Sequence, residues 1–374
     1  MLTASPATAG HGWTGFALNV RSAAAEVPPT HSSPDPLIAF VEPAESFLSL
    51  SIHSFGLTVA TLGFYSFWAR AEARRQLHRA IRIHGQPLDY TGTGREGFIS
   101  FLLGTLTTVV MVSAFVFLFL RAGGGIGEAR DALAEFRFRR LLITLPLLFL
   151  LGSVVYRKRK HILRRTWWRG QHFDLDGQPW AYALQHFWTA FLVPLTLGWA
   201  APWRASRLER RKIHEMHHGV QRFQATGSLA PLYRAFAALW FGGGAIYVTT
   251  MVLIGLTIGP QVLGVLETGN FQPLFEPQTF RTGLWVLVVG LLPVLAFLQF
   301  YRAAWIEHQI SSLVFDGVKL QLTLPKGRFA ALMLWNGFAK IVSFGAFQPV
   351  ADAALVRFLI ARIRTEPWRG PAAR

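Results

Sequence analysis

Apolar residues in this chain gather into long blocks divided by short basic stretches, without the regular stripes of a water-soluble helix or strand. Four blocks hold no Asp, Glu, Lys, Arg or His: 97–120, 141–156, 235–259 and 282–301. A helix needs ~20 predominantly apolar residues to cross the hydrocarbon core, so three of them qualify directly and 141–156 does so with its flanks. Three further apolar segments, 47–68, 183–203 and 329–350, are interrupted by Gly, Pro, Thr or His. They read as broken segments that either re-enter the membrane or cross it. The pattern predicts an all-α polytopic integral membrane protein with four transmembrane helices and three broken elements.

The broken elements share a motif: Thr61-Leu62-Gly63 with Arg75, Thr196-Leu197-Gly198 with Arg210, and Ser343-Phe344-Gly345 with Arg357. In each, a small hydroxyl residue stands two before a glycine and an arginine twelve after it, and the copies lie 135 and 147 residues apart. The same offsets pair Trp68, Gln86 and Gly92 with Trp203, Gln221 and Gly227, and Gly170, Leu175 and Trp188 with Gly317, Leu322 and Trp335. Three internal repeats follow, with elements near 47–95, 160–230 and 307–364, and self-similarity at so long a period dictates architecture.

Composition agrees, since a chain that is 52% hydrophobic and 15% charged is unlike an ordinary soluble domain. The net charge of +17 sits in arginines flanking the apolar runs, which argues against a nucleic-acid partner. Absence of cysteine excludes disulfides and thiolate metal sites. Residues 1–36, rich in Ala, Pro, Ser and Thr, are expected to be a disordered lead-in to a single membrane domain at 37–374.

Charge also bears on topology. The stretches 157–182 and 203–234 each carry a net +5, whereas 260–281 carries −1. If 183–203 crossed the bilayer, those two basic stretches would face opposite sides, against the excess of Lys and Arg expected in cytoplasmic loops. If the broken segments dip in and return, the basic stretches are all cytoplasmic, as is the C-terminus, and the loops near 121–140 and 260–281 are outside.

The stretch from Thr61 to Gly94, with its TLG, Trp68, a basic helix, Gly85, Tyr90 and Gly92, resembles the hallmark of the YjgN-like family of bacterial inner-membrane proteins. The third copy keeps the family's asparagine at Asn336, where the first two have Ser54 and Thr189. The resemblance implies an inner-membrane location and a fold family, and carries no activity, since the family is a domain of unknown function.

Two readings of the motif stay open. Thr and Gly together let a helix open locally, and breaks at equivalent places in repeats point to a binding site in transporters. The same glycines could instead permit close packing or end an in-plane helix. Thr61, Gly63, Arg75, Thr196, Gly198, Arg210, Ser343, Gly345 and Arg357 are thus ligand-binding candidates, the arginines for phospholipid headgroup phosphate or another anion. A generic basic flank explains the arginines equally well. Trp68 and Trp203 end their apolar segments and suit the membrane interface.

His214-Glu215-Met216-His217-His218 satisfies H-E-x-x-H. On a helix, His214 and His218 would share a face and could hold zinc with Glu215 as base. Lys212 and the lack of an evident third ligand weigh against it. His53, His186 and Lys340 occupy no equivalent repeat positions and read as packing or interfacial residues, and the glycines at 123–125 and 242–244 as a loop and a packing surface. No catalytic residue and no cofactor are expected. The leading expectation is binding or transport of a lipid-like or small anionic molecule. A scaffold docking a partner protein through the basic face is second, and zinc-dependent hydrolysis third. Transport predicts a cavity among the broken segments, whereas scaffolding predicts a packed interior.

Overall fold

Each of the three apolar segments carrying the motif stops at its hydroxyl residue and reverses. In the computed structural model, which describes residues 37–43, 46–122, 129–272 and 276–368, helix α1 (Phe47–Ala60) turns into α2 (Ser66–Ala80). Likewise α5 (Pro179–Leu195) turns into α6 (Ala201–His214), and α9 (Lys326–Val342) into α10 (Gln348–Ile360). The first helix of each pair has 14, 17 and 17 residues. At 1.5 Å per residue these reach only about 21–26 Å, short of a ~30 Å hydrocarbon core.

The reversals are built alike. Leu62 and Gly63 adopt φ of 50° and 94°, Leu197 and Gly198 50° and 93°, and Phe344 and Gly345 49° and 86°. Two consecutive left-handed residues redirect the chain, and the second is glycine because a Cβ there is strained. The hydroxyl satisfies backbone groups on both sides of the break. Thr61 Oγ1 donates to the Leu57 carbonyl at 2.7 Å and accepts from the Tyr65 N–H at 2.9 Å. Thr196 does the same with Leu192 and Ala200, and Ser343 with Ala339 and Phe347.

Long helices connect the pairs. α3 (Gly94–Ala122), α4 (Ala129–Arg164), α7 (Ala230–Thr268) and α8 (Pro277–Ser311) contain the four apolar blocks. By length and composition, Gly94–Ala114, Ala230–Thr268 and Pro277–Ser311 are helices able to cross a membrane. α7 passes through a π-helical turn at Ala238–Gly243, where a Cβ on Gly242 would lie 2.9 Å from the Phe297 ring, so Gly242 and Gly243 form a packing surface while Gly244 faces open space. α4 already begins at Ala129 and α7 runs on to Thr268, so the loops expected at 121–140 and 260–281 are shorter than the charge pattern implied. The lead-in at 1–36 and the glycines at 123–125 lie outside the described residues.

The expectation of an all-α fold needs correction, because twelve short strands among the described residues form three antiparallel sheets. Their cause is local. His84-Gly85, Arg169-Gly170 and Asp316-Gly317 all have positive φ at both residues, the mirror-image turn that matches strand twist and closes two-residue hairpins.

The sheets tie the helices together. β1 (Ile38–Phe40) pairs with β2 (Ile81–Ile83), so the chain leaves the sheet, runs out along α1, reverses, and returns along α2 to the strand beside its start. β6 (Gln171–Leu175) and β7 (Met216–His218) bracket α5 and α6 in the same way, as do β11 (Val318–Leu322) and β12 (Ile363–Pro367) around α9 and α10. β4 (Asp89–Tyr90) pairs with β5 (Thr166–Trp168) across the excursion through α3 and α4, and β9 (Gln224–Ala225) with β10 (Leu313–Phe315) across that through α7 and α8. Every helical excursion thus starts and ends on paired strands. β3 (Gln86–Pro87) and β8 (Gln221–Arg222) complete the hairpins. The largest buried cluster sits against this layer and includes Tyr156, Trp168, Phe173, Leu175, Tyr182, Leu208 and Met216.

Two neighbouring glycines give opposite expectations. Gly56, inside α1 with open space around its Cβ position, tolerates alanine, and Gly56→Ala is expected to stabilise by about 0.5–1 kcal/mol. Gly63 also has open space, but its φ is +94°, so Gly63→Ala should destabilise by about 1–2 kcal/mol. Thermal unfolding of the purified variants checks this, and a rise in the midpoint for Gly63→Ala would refute the reading of the turn.

Candidate functional site

The first and third reversals frame a cleft of about 510 Å³ between α1, α2 and the start of α10. This volume lies within the range of about 300–1,000 Å³ typical of small-molecule sites. α1 contributes Ser51, Ser54, Phe55, Thr58 and Val59, spaced three and four apart and therefore on one face, and the turn after it adds Leu62 and Gly63. α2 contributes Ser66, Ala69, Arg70, Ala73, Arg74, Leu77 and His78 by the same rule. Phe344, Gly345, Ala346, Gln348, Pro349 and Asp352 close the third side.

The cleft is graded along α2. At the reversals Val59, Leu62, Phe344, Ala346 and Pro349 outnumber the uncharged polar Ser66 and Gln348, and residues Leu62 and Phe344 are 91% and 94% exposed. Toward the sheet the walls become cationic. The Arg74 guanidinium lies 5.4 Å from the Tyr90 ring and donates to its hydroxyl at 3.2 Å, while Arg70 lies 5.8 Å from the Phe67 ring. No ion pair with a carboxylate is formed by Arg70 or Arg74 among the described residues. Asp352, the acid in the wall, is neutralised by Lys340 at 2.8 Å. Deep between α1 and α10, Ser51 Oγ is buried, with its residue 1% exposed, and has no hydrogen-bond partner.

His78 lies at the cationic end. Burial, the largest effect, and the neighbouring Arg74 charge hold its imidazole below the ordinary 6.5, against the Arg74 carbonyl and Asp89, which pull it up.

Of the residues singled out in the sequence, Gly63 and Gly345 line this cleft and Gly198 does not. Trp240 from α7 covers the second reversal, its indole N–H donating to the Leu197 carbonyl at 3.0 Å. Thr61, Thr196 and Ser343 hold their reversals as described. The shared arginines have partners within the chain. Arg75 donates to the Tyr90 and Gly92 carbonyls at 3.4 and 3.5 Å and pairs with Glu72 at 2.7 Å. Arg210 donates to the Gly227 carbonyl at 2.6 Å, and Arg357 pairs with Glu42 while lying 5.5 Å from the Phe40 ring. Trp68 packs on Phe98 at the start of α3, and Trp203 stands under the Arg207 guanidinium at 5.3 Å. His186 is buried on α5 with Arg204 bonded to its carbonyl, a packing role as expected.

The H-E-x-x-H string is not helical throughout. α6 ends at His214, Glu215 caps it, and Met216–His218 is strand β7, so His214 and His218 do not share a helix face. The Glu215 carboxylate accepts from the Tyr156 hydroxyl at 2.7 Å and from Arg211 Nε at 2.8 Å, and His218 Nε2 lies 3.0 Å from the Trp168 carbonyl. The described residues contain no group of three or more His, Asp or Glu side chains placed to hold a metal.

Arg70, Arg74 and Ser51 were missed in the sequence because they are not shared among the copies. Their signal was the spacing of small and polar residues along 51–58 and 66–78, which marks a face open enough for a cleft.

A family model described as "Bacterial protein of unknown function (DUF898)" matches residues 37–370. The chain belongs to that family. It is also 32% identical over 76 residues to the inner membrane protein YjgN of Salmonella typhimurium, a similarity covering 20% of this chain and 19% of that protein. No solved structure matches. The YjgN-like family expected from the TLG stretch is supported by the two matches together.

The His78 shift sets a pH dependence. With the folded value lowered, the unfolded chain takes up the proton first, so stability is full above 6.5 and declines as pH falls below it. Thermal midpoints between pH 7.5 and 5 should fall below about pH 6.5, and His78→Gln should flatten the decline. An unchanged slope in the variant would remove His78 as its source.

Proposed function

We propose that this is a multi-pass inner-membrane protein with four spans and three repeated re-entrant helix pairs, and that it binds or moves a lipid-like or small anionic molecule without enzymatic chemistry. The graded cleft carries the reading. A lining that is apolar at one end and bears Arg70 and Arg74 at the other suits an amphipathic anion, with hydrocarbon at the reversals and a phosphate or carboxylate at the guanidiniums. A cavity among the broken segments is what distinguishes binding from a packed scaffold, and it favours the first.

Strand pairing supports the topology. Both ends of each helix pair meet in one sheet layer, so β6 and β7, flanking α5 and α6, belong on one side of the bilayer along with the basic stretches that contain them. By the same argument β12 brings the C-terminal part of the chain to the cytoplasmic side. The long helices able to cross a membrane and the similarity to an inner membrane protein support the location. Matching dihedrals and hydroxyl bonds at the three reversals support descent from one repeated unit.

The first test is native mass spectrometry of the gently extracted protein. We expect a discrete bound lipid or small anion, retained in Gly56→Ala and reduced at least tenfold in the double variant Arg70→Gln, Arg74→Gln. A bare chain in the unaltered protein would sink the binding reading and move weight to a scaffold. The second test uses the absence of native cysteine. Single cysteines at Lys158→Cys and Val220→Cys, on either side of α5 and α6, are expected to react with an impermeant maleimide from the same face of oriented vesicles. Labelling from opposite faces would show that the pair crosses the bilayer.

A further inference from the structure

The cleft lies at the boundary between helix pairs that no long helix fills. Between the first and second pairs run α3 and α4, and between the second and third run α7 and α8. The helix that follows each of the first two pairs packs aromatic rings against its reversal. Phe98 of α3 packs on Phe64 at 6.1 Å, and Tyr233 and Trp240 of α7 pack on Trp199 at 6.5 and 5.9 Å. Phe64 and Trp199 are equivalent under the 135-residue offset, and the 147-residue offset leads to Ala346 in the third copy. There the ring has been replaced by a methyl group. Among the described residues α10 is followed only by strand β12, so no long helix follows the third pair. α10 instead packs directly on the first pair, Ala353 and Val350 meeting Phe47. Ala346, in the place of that ring, lines the cleft beside Phe344 and Gly345.

We infer that the cleft is filled from the side, by a membrane lipid of the same leaflet that slides in between Leu62 and Phe344 until its phosphate meets Arg70 and Arg74. This rests on the binding reading above and deepens it by naming the class of ligand and its route. A water-soluble phosphate shares the chemistry of the cationic end, but gains nothing from the exposed apolar walls at the reversals. Acyl chains do, because burying them there covers Leu62 and Phe344, which are otherwise left open. Orientation agrees as well. α2 runs from the reversal back to the sheet, so Arg70 and Arg74 stand nearer the sheet than Leu62 does, as headgroup phosphate stands nearer the aqueous surface than its chains.

The test closes the route. In the cysteine-free chain, Leu62→Cys and Phe344→Cys are joined by a short bifunctional maleimide, and the protein, stripped of lipid, is mixed with vesicles containing phosphatidylglycerol. Bound lipid is counted by native mass spectrometry. Joining the two positions is expected to lower lipid uptake at least tenfold relative to the unjoined double variant. Ala346→Trp, which restores the ring of the other copies, is expected to lower it with the thermal midpoint unchanged. Equal uptake by joined and unjoined protein would overturn the lateral route while leaving binding intact, provided Arg70→Gln with Arg74→Gln still removes the lipid. Binding of inorganic phosphate but not of phosphatidylglycerol by the unjoined protein would overturn the lipid assignment and keep an anion site. No uptake of either would remove the binding reading itself.

Discussion

A chain that breaks a helix and turns back must still satisfy the peptide groups at the break, and this constraint shapes the molecule at three places. Each helix that stops at a reversal leaves carbonyls at its end and N–H groups at the start of the next without helical partners. One hydroxyl, on Thr61, Thr196 or Ser343, bonds to both sides of the break, and the glycine N–H reaches back to the carbonyl five residues earlier at 2.7 Å in all three copies. A valine in place of the threonine would keep the shape and lose both side-chain bonds. The motif is therefore first a solution to a hydrogen-bonding problem, and its role in a cleft is added only where a neighbouring element leaves room.

The sheet layer is the counterpart at the other end of the helices. Because every excursion returns to a strand beside the one it left, the arginines of the second helices cluster near the sheet and bond its connections. Arg75 and Arg210 hold the carbonyls of Gly92 and Gly227, which are equivalent residues just after strands β4 and β9. The arginines common to the copies secure the junction between helix pair and sheet. Those that differ between copies, Arg70 and Arg74, stand in the cleft.

Much of this was legible in the sequence. The apolar blocks marked the long helices, and the 135- and 147-residue offsets marked the three reversals down to the residue that bends. The strands were not legible from hydrophobic periodicity, since two to five residues are too few to establish an alternation. They were signalled instead by turn chemistry at His84-Gly85, Arg169-Gly170 and Asp316-Gly317, which asks for left-handed backbone at two successive positions. H-E-x-x-H, already doubtful from Lys212 and the lack of a third ligand, fails as a helical pair for the opposite reason. The string is local, whereas the end of α6 at His214 is set by the pairing of β7 with β6, more than forty residues away in sequence. The cleft could not be read from any one copy, because it arises where the third meets the first.

The pairing of β4 with β5 also constrains the order in which the chain can assemble. Tyr90 meets Thr166 only after α3 and α4 have been made and turned back. A ribosome feeding this chain into a membrane therefore delivers β4 with an open edge, and that edge waits through the insertion of a complete helical hairpin. β9 waits in the same way for β10 across α7 and α8. Each hairpin is in effect a long loop closed by two residue pairs. Its insertion comes first and the sheet locks it afterwards, so a hairpin that fails to turn back leaves a bare strand edge exposed to whatever chain is nearby.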